Sequence, residues 1–273
     1  MNQRGGCGNG FDIGLSGMNS PGFRWLESFG AVYGTVAGEP LAFQDPAVRL
    51  LRFSRPDNGR DVWALYRPPC CHTTPILIYF HGLGQQLAGV TTRFVELLGS
   101  LGYGVLAMEY PGSGLALKAP HSEKAICEDA EFLVQTAANR FGSDRIVLVG
   151  FSLGTGVVVD LGVKGYGRRL VLLAPFTSVS EVLRHHIPVL HPQIVQQLVG
   201  QDRFDSQLKA PAIQQPTLIV HGTLDEIVPF WMGRKLANLI PNATLAILHG
   251  APHSVTGPVI AHTTAHIIKK WIR

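Results

Sequence analysis

Beyond residue 75 the chain alternates short, continuously apolar runs with longer segments of helical period. The apolar runs are Ile76–Phe80, Gly104–Glu109, Arg145–Val149, Arg169–Ala174, Pro216–Val220 and Thr244–Leu248. They are rich in β-branched residues and short enough to be strands. Helical patterns fill the spaces between them at about 90–100, 122–140, from Leu153 onward, 231–239 and 255–272. Strands that are apolar throughout are buried on both faces, so the pattern predicts a mostly parallel sheet with helices on either side. Upstream, Val48–Phe53 and Asp61–Tyr66 flank Pro56-Asp-Asn-Gly59, which predicts a hairpin and brings the sheet to eight strands.

Two stretches depart from this rhythm. Residues 177–211 separate two predicted strands and carry His185, His186, His191, Pro188 and Pro192, which predicts a small lid insertion. Residues 1–40 are dense in glycine yet hold Phe11, Phe23, Trp25, Leu26, Phe29 and Tyr33. Two readings of this leader stand side by side. It is a poorly ordered segment with a short helix near Arg24–Phe29, or an amphipathic stretch that lies over a pocket or makes peripheral contact with a membrane. The remainder, 41–273, reads as one domain without internal repeats.

Composition fits a single large core: 273 residues, 46% hydrophobic, with a mean hydropathy of +0.17. The formal charge of +4 and pI near 9.0 come without any Lys/Arg run longer than a doublet. That distribution describes a mildly basic solvated surface and gives no basis for a nucleic-acid partner. Cys7, Cys70, Cys71 and Cys127 form neither a disulfide framework nor a C-x-x-C motif, which suits a reducing, cytoplasmic compartment. The start lacks a signal-peptide pattern, and no apolar run reaches the length of a membrane span. Asn2 follows Met1, so N-myristoylation is not expected, while acylation of Cys7 stays open. No H-E-x-x-H or comparable ligand spacing appears, and neither a metal nor another cofactor is expected.

The chemistry is carried by Gly150-Phe-Ser-Leu-Gly154, placed where a predicted strand gives way to a helix. There a sharp turn holds Ser152 in a strained backbone with its hydroxyl raised at the sheet edge, and the flanking glycines let neighbouring backbones pass close by. An elbow serine needs a base and an acid, in the chain order serine, acid, histidine, each just past the carboxyl end of a strand. The loop after Val220 offers Asp225, with Glu226 as nearest rival and Asp202 and Asp205 behind it. The loop after Leu248 offers His249 and His253; His253 is favoured because it lies beyond the Gly-Ala-Pro bend. An oxyanion hole would use the backbone N–H of Leu153, at a helix start, and of Leu83, in the His81-Gly82-Leu83 loop.

With these residues the chain resembles the serine hydrolases of the α/β-hydrolase superfamily over about residues 48–272. Tyr79-Phe-His-Gly82, Val105–Gly114, the Ser152 pentad, Asp202-Arg-Phe-Asp-Ser206 and His221–Pro229 are similar to the eukaryotic branch that includes protein depalmitoylases. Members of that branch that remove palmitate from proteins carry an N-terminal cysteine cluster for membrane attachment, whereas this chain has Cys7 alone. The resemblance implies hydrolysis of an acyl thioester or ester through an acyl-enzyme, with S-acylated proteins the leading substrate. A general carboxylesterase or lipid esterase, a serine peptidase, and a non-catalytic receptor on the same fold are the alternatives. The apolar Ile187, Val189, Leu190, Ile194, Val195, Leu198 and Val199 either receive an acyl chain along an open groove or pack the insertion onto the body.

Overall fold

The computed structural model describes residues 42–272. The predicted leader, its aromatic residues and Cys7 lie outside the described residues.

An eight-stranded sheet runs through the domain in the order β1-β2-β4-β3-β5-β6-β7-β8. The strands are β1 (Arg49–Ser54), β2 (Asp61–Arg67), β3 (Ile76–Phe80), β4 (Gly104–Met108), β5 (Ile146–Phe151), β6 (Arg169–Leu173), β7 (Thr217–Gly222) and β8 (Ala243–Leu248). β1 and β2 form the predicted antiparallel hairpin, and β2 pairs antiparallel with β4. From β4 to β8 every neighbouring pair is parallel. Period-two side-chain alternation explains why the central strands must be apolar throughout. Ile76, Ile78 and Phe80 of β3 join the core on one face, while Leu77 and Tyr79 join the core on the other.

The helices that complete these cores are α1 (Thr92–Ser100), α2 (Glu123–Phe141), α3 (Leu153–Val163), α4 (Val179–His186), α5 (Pro192–Val199), α6 (Ser206–Lys209), α7 (Phe230–Leu239) and α8 (Ala261–Ile272). α1 and α8 cover one face through Phe94, Val95, Leu98, Ala265 and Ile268, and α2, α3 and α7 cover the other. Ser122 and Ser178 start α2 and α4 by accepting the amides of Ala125 and Glu181, both at 3.1 Å. The hairpin is tied to α2 by Arg55 and Arg60, which converge on the buried Asp129 at 2.9 and 2.6 Å.

Two helix starts differ from the sequence pattern. The closing helix begins at Ala261 and not at residue 255, because Pro258 disfavours helical backbone before it and turns occupy 255–260. The first begins regularly at Thr92, since Ala88 and Gly89 adopt non-helical backbone in the preceding turn.

Strand order places β3 between β4 and β5, so the chain leaves β3 to one side and returns to its other side. Loops after β3 and β5 therefore face each other at a topological switch point, where open parallel sheets form clefts.

Candidate active site

Ser152 follows β5 and is the N-cap of α3, with φ 51° and ψ −116°. That backbone is strained by roughly 1–3 kcal/mol for a non-glycine residue. It persists because the surroundings leave the turn no slack. A Cβ on Gly150 would lie 2.3 Å from the Gly154 carbonyl oxygen, and one on Gly154 would lie 2.1 Å from that of Phe80. Both spacings are far inside contact distance, so glycine is required on either side of the serine.

Three loops meet at this turn. Ser152 Oγ–H donates to His253 Nε2 at 3.0 Å, and His253 Nδ1–H donates to Asp225 Oδ2 at 2.8 Å. The Phe151 ring sits 5.1 Å from the His253 ring and backs it. His253 remains 14% exposed, whereas the Asp225 carboxylate is fully buried. Burial alone would raise the Asp225 carboxyl; the hydrogen bonds from His221 and His253 outweigh it and hold the group down at about 2. Oδ1 also accepts the amides of Ile227 at 3.0 Å and Val228 at 2.7 Å, which fold the loop around the carboxylate. The arrangement can pass a proton from the serine to the imidazole, whose positive charge would then meet a buried anion.

The rival candidates stand elsewhere. Asp202 accepts the Glu123 amide at 2.7 Å, at the start of α2. Asp205 is the N-cap residue of α6, Glu226 is exposed, and His249 is exposed in the turn after β8. Of the histidines in 177–211, His186 Nε2 meets the Ile227 carbonyl at 2.7 Å and His191 caps α5.

The loop after β3 runs against the elbow: a Cβ on Gly82 would approach Ser152 Cβ to 3.4 Å. Tyr110 Oη–H donates to the His81 carbonyl at 2.6 Å and pins this loop from β4's side. Beneath it His81 Nε2 and Glu109 Oε1, both buried, stand 3.4 Å apart. The sequence pattern did not single out this pair, although each member lies one step past a central strand.

Beside Ser152 opens a small apolar pocket walled by Leu83, Leu153, Phe176, Val179, Val182 and Val228. Its volume of about 20 Å³ is room for roughly one water. Val179 and Val182 of α4 form its wall on the side of residues 177–211. The apolar residues of 177–211 divide accordingly. Val195 and Val199 are buried and Ile187 and Leu190 pack against the core, while Val189, Ile194 and Leu198 point outward, Val189 being 89% exposed.

The sheet, its flanking helices and a serine at the β5–α3 turn define an α/β-hydrolase fold. Residues 72–208 match the family described as serine aminopeptidase, S33, and the chain belongs to that family. It is 32% identical to a lysophosphatidylserine lipase, ABHD12, of Danio rerio over 180 residues, covering 60% of this chain and 47% of the relative. The Rattus norvegicus lipase of that name is 29% identical over 67% of this chain and 49% of its own length. The chain thus spans about half the length of these curated relatives. Among solved structures, Est1E from Butyrivibrio proteoclasticus superposes with a TM-score of 0.67 at 18% identity, over 82% of this chain and 97% of that one. No helix among the described residues is long and apolar enough to cross a membrane.

Proposed function

We propose that the protein is a serine hydrolase of acyl esters, with lipid esters its substrate class. The observation that carries this reading is the unbroken relay from Ser152 through His253 to Asp225, at 3.0 and 2.8 Å. Ser152 attacks the ester carbonyl as His253 takes its proton, and Asp225 stabilises the imidazolium. The N–H groups of Leu83 and Leu153 hold the tetrahedral oxyanion. His253 then returns its proton to the leaving alkoxide, and water activated by the same imidazole releases the acid from the acyl-enzyme.

The lipase names of the sequence relatives favour lipid oxyesters, and the apolar walls of the pocket suit an acyl chain. A pocket this small accepts a long chain only when α4, which supplies Val179 and Val182, moves, since bound ligands ordinarily occupy about 300 Å³ or more. Residues 177–211 are therefore the lid of this reading, with Val179 and Val182 as its inner face. Palmitoyl-protein thioester cleavage is the narrower alternative suggested by the sequence motifs.

The test is hydrolysis of p-nitrophenyl esters from acetate to palmitate, of lysophosphatidylserine and of a palmitoyl-peptide thioester, by wild type and Ser152→Ala. Turnover of the lipid oxyester above the thioester, lost in the variant, is expected. The converse order selects the depalmitoylase, and activity that survives in Ser152→Ala overturns the site.

A further inference from the structure

Asp225 carries a second imidazole, which the acyl-transfer steps do not use. His221, near the end of β7, is fully buried. Its Nε2 lies 3.1 Å from Asp225 Oδ2 and 2.9 Å from the Val228 carbonyl oxygen. Both partners are acceptors, so Nε2 bears the hydrogen and Nδ1 is left with its lone pair. Among the described residues Nδ1 has no hydrogen-bond partner, and α7 closes over it. A Cβ on Gly233 would lie 2.2 Å from that nitrogen, and the Phe230 ring meets the imidazole edge-on at 5.7 Å. Among the described residues the ionisable group hydrogen-bonded to His221 is Asp225, and through its Oδ2 the ring is linked to His253.

Oδ2 is thus shared by two imidazole N–H donors, while Oδ1 is held by two backbone amides. We propose that His221 is a positioning residue for acyl transfer, a fixed N–H donor that aims the Asp225 carboxylate at His253 and tempers its pull on that ring. The inference rests on the reading of Ser152, His253 and Asp225 as a triad. An acceptor oxygen that serves two donors binds each less strongly than one that serves a single donor. Without His221, the His253–Asp225 bond tightens in the resting enzyme and favours the charged imidazolium, in which His253 cannot act as a base. The carboxylate also loses one of its four anchors.

The experiment follows fluorophosphonate labelling and p-nitrophenyl ester hydrolysis from pH 5 to 9 in wild type, His221→Phe and His221→Gln, with thermal unfolding of each. Phenylalanine keeps a ring without a donor, and glutamine places an amide N–H near the position of Nε2. In His221→Phe the plateau rate is expected to fall about ten- to a hundredfold, and the acid limb to move up by roughly half to one pH unit. His221→Gln is expected to return the limb toward wild type. A limb that stays put in a folded His221→Phe, with activity lost only in proportion to unfolded protein, overturns the proposal. If wild type itself is not labelled, the triad reading falls and the proposal with it; a labelled wild type with an unmoved limb removes the role of His221 alone. Should the phenylalanine variant not fold, nitrogen NMR of histidine-labelled wild type decides. The Nε2–H tautomer of His221 is expected, and an Nδ1–H tautomer contradicts it.

Discussion

Replacing Gly154 with alanine is expected to disturb catalysis as well as stability, because of where the added methyl group lands. Its carbon would lie 2.1 Å from the Phe80 carbonyl oxygen, 2.6 Å from the Phe80 carbonyl carbon and 2.9 Å from the His81 carbonyl oxygen. All three are backbone atoms and cannot rotate away. Ordinary contact begins at 3.4 Å, so α3 and the end of β3 must part by about 1.3 Å. Overpacking of this kind costs roughly 1–3 kcal/mol. The same displacement separates Ser152 from the His81–Leu83 loop, and a shift near 1 Å at a reacting centre costs on the order of 100-fold in rate. Gly165→Ala is the matched control. Its φ is +85° but its added methyl meets nothing within 4 Å, so it pays for backbone strain alone, roughly 1–2 kcal/mol, at a position removed from the elbow. Guanidinium unfolding and ester kcat, measured on both variants at a temperature where each is folded, separate the two effects. Gly154→Ala is expected to lose stability and kcat, and Gly165→Ala stability only. Wild-type kcat in Gly154→Ala would refute the claim that this close approach sets the geometry of the elbow.

Two further outcomes follow from the titratable groups. The Asp225 carboxyl is held at about 2 against an ordinary 3.8, so its contribution to stability is complete above pH 4 and is lost as pH falls toward 2. That contribution is on the order of 2 kcal/mol. The gap in denaturant midpoint between wild type and Asp225→Asn is therefore expected to narrow from pH 5 to pH 2, and a constant gap would contradict it. Hydrogen bonds from Thr73 and then Thr74 draw the exposed Cys71 thiol down to about 6, while burial pushes the Cys127 thiol up. Iodoacetamide at pH 7, read peptide by peptide, is expected to modify Cys71 ahead of Cys70 and to reach Cys127 only after unfolding. Early modification of Cys127 would mean that the α2 core opens.

The strands were legible because each central one is buried on both faces, and burial on both faces writes a continuous apolar run into the sequence. Ile76–Phe80 shows this directly. Ser152, Asp225 and His253 could be nominated because sheet topology fixes which strand ends converge. Other features depend on contacts the linear pattern does not encode. His221 looks like any strand-end residue until the Asp225 carboxylate accepts the Ile227 and Val228 amides and folds the loop back on the ring. The i, i+4 spacing of His221 and Asp225 was the available signal. The place of Val179 and Val182 in the pocket wall is likewise tertiary, since a helix with one apolar face reads the same whether it lines a site or merely covers the body. Pro258 did mark the late start of α8, but the helical spacing of Val255 and Val259 masked it.

The most direct test of the account is fluorophosphonate labelling of the wild-type protein at neutral pH, with the modified residue located by peptide mass spectrometry. Labelling needs a serine activated by an adjacent base. One adduct is expected, on Ser152, strongly reduced in His253→Ala and absent in Ser152→Ala. An unlabelled wild type, or an adduct on another residue, would contradict the claim that Ser152, His253 and Asp225 form a working acyl-transfer site.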